Sequence, residues 1–400
     1  MLKIHSEPPK QAMPEYRGPA LLALGFRPFF SAAAVAAILL MLIWLTTWVG
    51  RLRIPDYYGS IGWHSHEMLF GYAAAVIAGF LLTAVRNWTG VNTPTGTPLA
   101  LLVLIWLAGR LVPFLAGLLP AWLVALADLA FLPALALAIA PALWRGSQKV
   151  NRIFVPLLLL MALANLLVHL QALGVAGSAT RGMDMMLFMV VFLVALLGGR
   201  VMPFFTQAVI PGFKATRRQW LEYTTMGAFA VLIGLQLFAS PPLLTGLVAL
   251  LLALTQTLRV AGWHHPGVWR IPILWVLYTG IFWLIAGLLL LAFSSFGLLG
   301  SNLAKHALGV GGIGILTLGM MARVSLGHSG RPIEPARSIA IAFILLNVAA
   351  ALRVFGPLLP FGAYTFWVHL AGGIWIICFL LFCRVYLPIL SRPRIDGKPG

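Results

Sequence analysis

The sequence predicts an all-α polytopic membrane protein with about twelve transmembrane helices. Of its 400 residues, 61% are hydrophobic and only 9% are charged, and the mean hydropathy is +0.97, whereas about a quarter of the residues in a soluble domain are charged. The apolar runs last about twenty residues, the length at which a helix crosses a bilayer. Strands of a membrane barrel would instead alternate apolar and polar residues in segments of about ten. These observations exclude a soluble fold.

Proline, glycine and charged clusters divide the chain into twelve apolar segments. The predicted helices are 30–50, 63–85, 98–118, 121–144, 153–173, 183–202, 220–239, 242–260, 271–295, 301–322, 337–356 and 362–387. They form a membrane domain over residues 26–390, between an N-terminal segment (1–25) and a C-terminal tail (391–400). The N-terminal segment is polar and lacks an apolar stretch before a cleavage site, so we expect no removable signal peptide.

The basic residues predict the orientation of the chain. Lys and Arg total 27 against 9 Asp and Glu, and most of the basic residues fall on one side when both termini are cytoplasmic. The exceptions near the outer face are Arg51, Arg53, Arg181, Lys305 and Arg353. No basic patch is interleaved with exposed aromatic residues, as a nucleic-acid-binding surface would be. We therefore expect the protein to contact membrane lipid and not nucleic acid.

One pair of opposite charges is predicted within the membrane. Arg110 and Asp128 lie at similar depth on the third and fourth predicted helices, where charged side chains are costly and usually matched. The sequence leaves two interpretations open, a structural ion pair and a functional polar path.

Histidines gather near the predicted outer face. Five of the nine are expected at this depth: His64, His66, His169, His306 and His369. Imidazole is a common ligand of haem iron and of copper, so several helices that each offer one imidazole can build a metal site. Helical topology fixes the depth of each side chain but not its direction, and a single histidine in a membrane helix is often only a hydrogen-bonding residue.

The His-x-His pair at the start of the second helix adds detail. Residues two apart on an α-helix differ by about 200°, so His64 and His66 are predicted to face different ways, whereas His64 and Glu67 share a face. One segment can therefore serve two centres, or one histidine can bind a metal while the other supports it.

Three further groups allow more than one interpretation. The outer cations Arg51, Arg53, Arg181 and Lys305 would pair with haem propionates, although ordinary loop solvation explains them as well. His328 lies at the other end of the tenth helix, where metal ligation competes with anion contact or loop structure. Glycines in the tenth helix, including Gly309, permit close helix packing or admit a flat macrocycle.

Five stretches carry a resemblance to a known family: GFRPFF (25–30), WHSHEMLFGYAAAVIAGFLLTAVRNWTG (63–90), GGRVMPFFT (198–206), HALGVGGIGILTLGMMARVSLGHSGR (306–331) and RPRIDGKPG (392–400). Together they resemble the NnrS family, from near residue 20 to the C-terminus. The resemblance implies a twelve-helix protein of the bacterial inner membrane that contains haem, expected to be of b type, and copper. It also implies a link to nitric oxide, denitrification and the nitrosative stress response.

The resemblance carries over to particular residues. The matching family positions are His64, His66, Glu67, His169, His306 and His328, and they imply ligands from these histidines. We expect Glu67 or Tyr278 to relay protons if nitric oxide is bound at a haem iron with a nearby copper.

Three functions remain as hypotheses at this point. The first is a haem- and copper-binding protein that handles nitric oxide, including the activity of an oxidoreductase that resembles nitric oxide reductases and takes electrons from a quinol or a cytochrome. The second is a membrane transporter, which would also have twelve helices and intramembrane charges. The third is a metal-dependent nitric oxide sensor or an assembly factor without turnover.

Overall fold

The computed structural model describes residues 16, 18–238 and 241–397. Within these ranges the chain forms helices and no strand, which confirms the all-α polytopic fold. The long helices are α1 Phe26–Trp48, α2 Ser60–Thr89, α3 Thr97–Leu115, α4 Ala121–Arg145, α5 Lys149–Ala172, α6 Ala179–Val209, α7 Gln219–Leu237, α8 Pro242–Trp263, α9 Pro272–Ser295, α10 Ser301–His328, α11 Arg337–Leu358 and α12 Tyr364–Leu390. Most of the predicted N-terminal segment (1–15 and 17) and the last three residues of the predicted tail lie outside the described residues.

Eleven helices of the described chain are long and apolar enough to cross a membrane. Helix α7 is the one long helix of the described chain outside this group of eleven. It carries Glu222, whose carboxylate is 2.6 Å from the guanidinium of Arg259 on α8. Several helices extend beyond the predicted bounds: α6 continues seven residues past its predicted end at 202, and α10 continues six past its predicted end at 322. The hydropathy pattern marks only the apolar part of a helix, whereas the backbone hydrogen bonds continue into the polar interface.

The helices α2 and α10 form the centre of the bundle. In α2, 89% of the most apolar 18-residue stretch is buried, and in α10 the figure is 78%, compared with 33% in both α3 and α12. Helix α2 packs against α1, α4 and α6, while α10 packs against α9, α11 and α6. Side chains on these two helices are therefore the ones best shielded from lipid.

Both central helices contain a π-helical segment directly after a histidine. The segments are Glu67–Ala73, which follows His66, and Ala307–Gly314, which follows His306. A π-helical turn is wider than an α-helical turn, changes the faces on which later side chains lie, and is frequent at functional sites. The carbonyl of Gly71 in the first segment accepts a hydrogen bond of 3.0 Å from Nε1 of Trp106 on α3.

The glycines of α10 serve two purposes. A Cβ on Gly311 would meet the ring of Trp283, and one on Gly314 would meet the ring of Trp375, so these two positions permit close packing. Gly309 has open space around it and lines a cavity. Close packing is therefore confirmed at Gly311 and Gly314, and the admission of a macrocycle beside Gly309 stays a prediction.

The orientation predicts which loops an impermeant reagent can reach. With both termini cytoplasmic, Val175 in the α5–α6 loop lies outside and Ser147 in the α4–α5 loop lies inside, and both are exposed. In intact cells, we expect an impermeant maleimide to label Val175→Cys and not Ser147→Cys, and both variants should react after permeabilisation. The parent protein is the background control, because Cys378 is buried and Cys383 is partly buried. Labelling of Ser147→Cys in intact cells would contradict the orientation.

Candidate metal centre and adjacent cavity

A group of polar side chains is buried where α2, α3, α4 and α5 meet near their predicted outer ends. Its members are His66, Glu67, Arg110, Asp128, Asn165 and His169, each at most 6% exposed. We refer to these six residues as the carboxylate–histidine cluster. Burial of so many polar groups among apolar helices is costly unless each is paired.

An arginine joins the two carboxylates of the cluster. Nη1 of Arg110 donates to Oε1 of Glu67 at 2.8 Å, and Nη2 donates to Oδ1 of Asp128. Two glycines make room for this arrangement, because a Cβ on Gly71 would lie 3.0 Å from Arg110 Nη1 and one on Gly109 would lie 3.1 Å from the Asp128 Cα. The predicted pairing of Arg110 with Asp128 is therefore present, and Glu67 extends it.

Asp128 also gathers the two imidazoles of the cluster. Its Oδ2 lies 2.9 Å from Nε2 of His169 and 3.1 Å from Nε2 of His66, and it accepts a 2.8 Å hydrogen bond from Nδ2 of Asn165. The three potential ligand atoms of His66, Asp128 and His169 all lie within 4.8 Å of one another. Nitrogen and oxygen ligands about 2.0–2.2 Å from one metal ion are roughly 3 Å apart. The group is therefore spaced to receive a metal ion with small movements.

The charges of the cluster favour a cation. Two carboxylates and one guanidinium leave one net negative charge when both imidazoles are neutral. Both nitrogens of His66 face oxygen atoms, Oε1 of Glu67 at 3.2 Å and Oδ1 of Asn165 at 3.0 Å. Among the described residues, no hydrogen-bond partner reaches the buried Oε2 of Glu67. An unmatched buried charge is strongly unfavourable, so a metal ion or a proton stabilises this site.

Two tyrosines from the loop before α2 cover the cluster. The hydroxyl of Tyr57 lies 3.0 Å from Nδ1 of His169, and the ring of Tyr58 stacks on that of His66 with centroids 4.3 Å apart. Burial raises the pKa of Tyr57 to about 12 and the pKa of Tyr58 well above its usual range, so both phenols stay neutral at physiological pH. Both tyrosines also line a cavity of about 520 Å³ that extends to Gln171 and Lys305.

Another cavity lies beside the cluster, between α2 and α10. It has a volume of about 410 Å³, and His64 and His306 line it together with the flat rings of Trp44 and Trp375. The ring of His64 stacks on Trp44 with centroids 4.3 Å apart and an interplanar angle of 9°. We refer to this space as the imidazole cavity.

The two histidines of the imidazole cavity have nitrogens available for a ligand. Nδ1 of His306 lies 2.7 Å from the carbonyl oxygen of Asn302, which favours a proton on Nδ1 and leaves Nε2 free. Nδ1 of His64 is buried, and no hydrogen-bond partner reaches it from the part of the chain that the structure describes. A bound metal would complete the contacts of these rings.

Cations line the polar edge of the imidazole cavity. Nζ of Lys305 lies 2.6 Å from Oδ1 of Asp184, and Nη2 of Arg353 donates to the hydroxyl of Tyr364 at 2.9 Å. Nδ2 of Asn302 donates to the same hydroxyl at 2.7 Å. An acidic group on a ligand in this cavity would therefore meet Lys305 and Arg353.

The structure separates the His-x-His pair into two sites. His64 lines the imidazole cavity, whereas His66 belongs to the carboxylate–histidine cluster, as their angular separation predicts. Glu67, which was expected on the face of His64, instead contacts His66. Oε1 of Glu67 also accepts from Nη1 of Arg110 at 2.8 Å, so this ion pair holds the carboxylate beside His66.

Other predicted site residues lie away from these two sites. Nδ1 of His369 is bonded to the carbonyl of Thr365 on its own helix, and the described residues that line the imidazole cavity do not include His369. Arg51, Arg53 and Arg181 are exposed. Their ligand or propionate roles stay predictions, and Lys305 and Arg353 are the cations that the structure places at the imidazole cavity.

His328 and Tyr278 lie toward the opposite end of the bundle. His328 is 22 residues beyond His306 on α10, or about 33 Å along the axis, and its carbonyl accepts a 3.2 Å hydrogen bond from Arg394. The Tyr278 hydroxyl donates to the carbonyl of Trp263 at 2.7 Å and lies 2.9 Å from Oγ1 of Thr206. Neither residue contacts Glu67 or the other members of the carboxylate–histidine cluster.

Several site residues were not identified from the sequence. Asn165 precedes His169 by four residues, so the two share one face of α5, and this spacing is the signal that could have identified it. Tyr57 and Tyr58 are loop residues with no helical pattern to orient them. The role of Arg353 depends on the packing of α11 beside α10.

The fold and the site define a polytopic helical membrane protein with a buried group suited to a metal ion beside a cavity that two imidazoles line. A family model described as NnrS protein matches residues 20–394. The chain therefore belongs to the NnrS family, as its motifs predict. None of the curated proteins compared with the chain matches it.

The ion pair in the cluster predicts a large effect of Arg110 on stability. The substitution Arg110→Met leaves two buried carboxylates without their partner, so we expect the free energy of unfolding to fall by about 3–5 kcal/mol. Lys305→Met is the matched control, because the Lys305 side chain is 43% exposed and a surface ion pair contributes about 0–1 kcal/mol. Reversible unfolding in mixed micelles would measure both. Equal losses for the two variants would contradict a central role for Arg110.

Proposed function

We propose that this protein binds haem and copper in the bacterial inner membrane and handles nitric oxide, in nitric oxide metabolism or in the nitrosative stress response. The observation that carries the proposal is the pair of adjacent sites on α2, where His64 lines the imidazole cavity and His66 lies in the carboxylate–histidine cluster. Membership of the NnrS family supports a role connected with nitric oxide.

The imidazole cavity has the features that a haem requires. His64 or His306 would hold the iron, the flat indole rings and the open space at Gly309 would receive the macrocycle, and Lys305 and Arg353 would meet its propionates. When bound, a haem iron with an open position supplies a binding site for a diatomic gas. The protein's own contribution is to orient the imidazoles and to shield the site from water.

The carboxylate–histidine cluster has the features that a second metal requires. His66, Asp128 and His169 offer two nitrogens and one oxygen, a set that suits copper(II), iron(II) or zinc. Asn165 and Arg110 hold the carboxylate of Asp128 from its other sides, which fixes the direction of the ligand atom. Copper is the ion that we propose for this site, and its net negative charge favours any divalent cation.

The hydrogen-bonded groups also suit proton transfer. Oε1 of Glu67 is bonded to Arg110 and His66, and no hydrogen-bond partner among the described residues reaches its buried Oε2. Reduction of nitric oxide joins two molecules with two protons and two electrons to give nitrous oxide and water. We propose that Glu67 holds and passes protons beside the metal ligands, while a quinol or a cytochrome supplies the electrons.

Two other functions would give different results in the same experiments. A sensor or assembly factor would bind nitric oxide once and form no nitrous oxide. A transporter would move a substrate into proteoliposomes without haem. The buried metal group lies near the ends of its helices, whereas transporters usually bind their substrates near the middle of the bilayer.

Substitution of the histidines is expected to remove a different cofactor from each of the two sites. We expect His64→Ala or His306→Ala to reduce the haem content, measured by the Soret absorbance per protein, and to leave the second metal in place. We expect His66→Ala or His169→Ala to remove the second metal, measured by elemental analysis, and to leave haem in place. His265→Ala is the control, because this histidine caps a short turn through Gly267 and packs against Phe213, away from both sites.

Mixing of the reduced protein with nitric oxide then tests the function itself. The proposal predicts a shifted Soret band in the parent protein and nitrous oxide when an electron donor is supplied. A purified protein that holds neither haem nor copper would overturn the proposal, and binding without nitrous oxide would leave the sensor as the function.

A further inference from the structure

A third and smaller cavity lies near the middle of the membrane-spanning helices. Its volume is about 80 Å³, and apolar side chains of α1, α2, α6, α9 and α10 line it, with Thr317 as the polar exception among the lining residues. Representative lining residues are Phe30, Val76, Leu193, Met202 and Ile281. We refer to this space as the mid-membrane cavity.

The mid-membrane cavity lies directly deeper than the imidazole cavity along the same helices. On α2, Tyr72 lines the imidazole cavity and Val76, one turn later, lines the mid-membrane cavity. On α10, Ile313 lines the first and Leu316 lines the second. Val76 is twelve residues beyond His64, so the mid-membrane cavity is about 18 Å below that imidazole.

One hydrogen-bonded pair separates the two cavities. The Tyr72 hydroxyl lies 2.7 Å from Oγ1 of Thr317, and this oxygen donates to the carbonyl of Ile313 at 2.6 Å. The ring of Tyr72 packs edge-on against Trp375 and Phe379, with centroids 5.5 and 5.4 Å away. A molecule that moves from one cavity to the other would pass beside Tyr72.

The other side of the mid-membrane cavity faces lipid. Phe80, Val194, Leu197, Val201 and Met320 all line it, and each is only partly buried. At this depth the surrounding medium is hydrocarbon. The cavity is therefore accessible to a solute that dissolves in the bilayer and not to an ion.

We propose that the mid-membrane cavity binds a small apolar molecule that enters from the lipid, and that nitric oxide reaches the imidazole cavity through it. Apolar cavities stay dry and bind gases such as xenon. A volume of about 80 Å³ accommodates a diatomic molecule, whereas a long acyl chain does not fit. The identity of the gas depends on the proposed function, but the ability of the cavity to bind an apolar gas does not.

Gly198 offers a way to fill the cavity without a clash at Cβ. It lines the cavity, and a Cβ at this position would make ordinary contacts with Ile281 Cδ1 at 3.6 Å and Met202 Sδ at 3.9 Å. The substitution Gly198→Leu would therefore place its side chain in the cavity. Gly234→Leu on α7 is the matched control, because a Cβ there meets no atom within 4 Å.

Xenon tests the site without any need for haem. In xenon-pressurised crystals, we expect anomalous density in the mid-membrane cavity of the parent protein and of Gly234→Leu, and none there in Gly198→Leu. Absence of xenon from the parent cavity, or density from an acyl chain in its place, would overturn the proposal.

The rate at which nitric oxide associates with the haem-loaded protein tests the proposed route. With the haem-loaded protein in liposomes, we expect Gly198→Leu to slow association of nitric oxide by about tenfold and Gly234→Leu to leave the rate unchanged. An unchanged rate in Gly198→Leu would overturn the route. If the parent protein bound xenon here but took up no haem or nitric oxide, the proposed function would fail while the gas site would stand.

Discussion

The guanidinium of Arg110, held between the carboxylates of Glu67 and Asp128, is the interaction on which the rest of the site depends. It neutralises one of two negative charges that the membrane interior would otherwise not tolerate, and it fixes both carboxylates in place. Asp128 can then present its other oxygen to two imidazoles and an amide. The negative charge that remains favours a cation at this part of the protein. Gly71 and Gly109 provide the space that the guanidinium and the carboxylate need.

Two sites share one short motif because His64 and His66 are two residues apart on a helix and so face different ways. His64 lines one cavity with His306 of α10, while His66 meets His169 of α5. Glu67 joins His66 because Arg110 holds its carboxylate there. A π-helical segment follows the ligand histidines on both central helices and changes the faces of the residues after them.

The sequence predicts the class of fold, the number of helices and the depth of the histidines, because apolar length and charge are properties of each segment alone. It also predicts that Arg110 and Asp128 pair and that His64 and His66 diverge. It does not predict that Glu67 joins His66, because the contact of Arg110 with both carboxylates depends on how α3 packs beside α2 and α4. Tyr57 covers His169 from a loop with no periodicity, and Arg353 reaches the cavity through the contact of α11 with α10. These contacts depend on the direction in which each side chain leaves its helix and on tertiary packing, whereas the hydropathy pattern indicates only the depth of a residue in the membrane.

The central claim is that two neighbouring sites on α2 hold different metals, one in the imidazole cavity and one in the carboxylate–histidine cluster. Anomalous diffraction from crystals of the protein purified from its own membranes, recorded on both sides of the iron and copper absorption edges, tests this claim most directly. The account predicts an iron signal in the cavity that His64 and His306 line, and a copper signal among His66, Asp128 and His169. An empty cluster in a fully haem-loaded protein, or metal bound only at other residues, would contradict it.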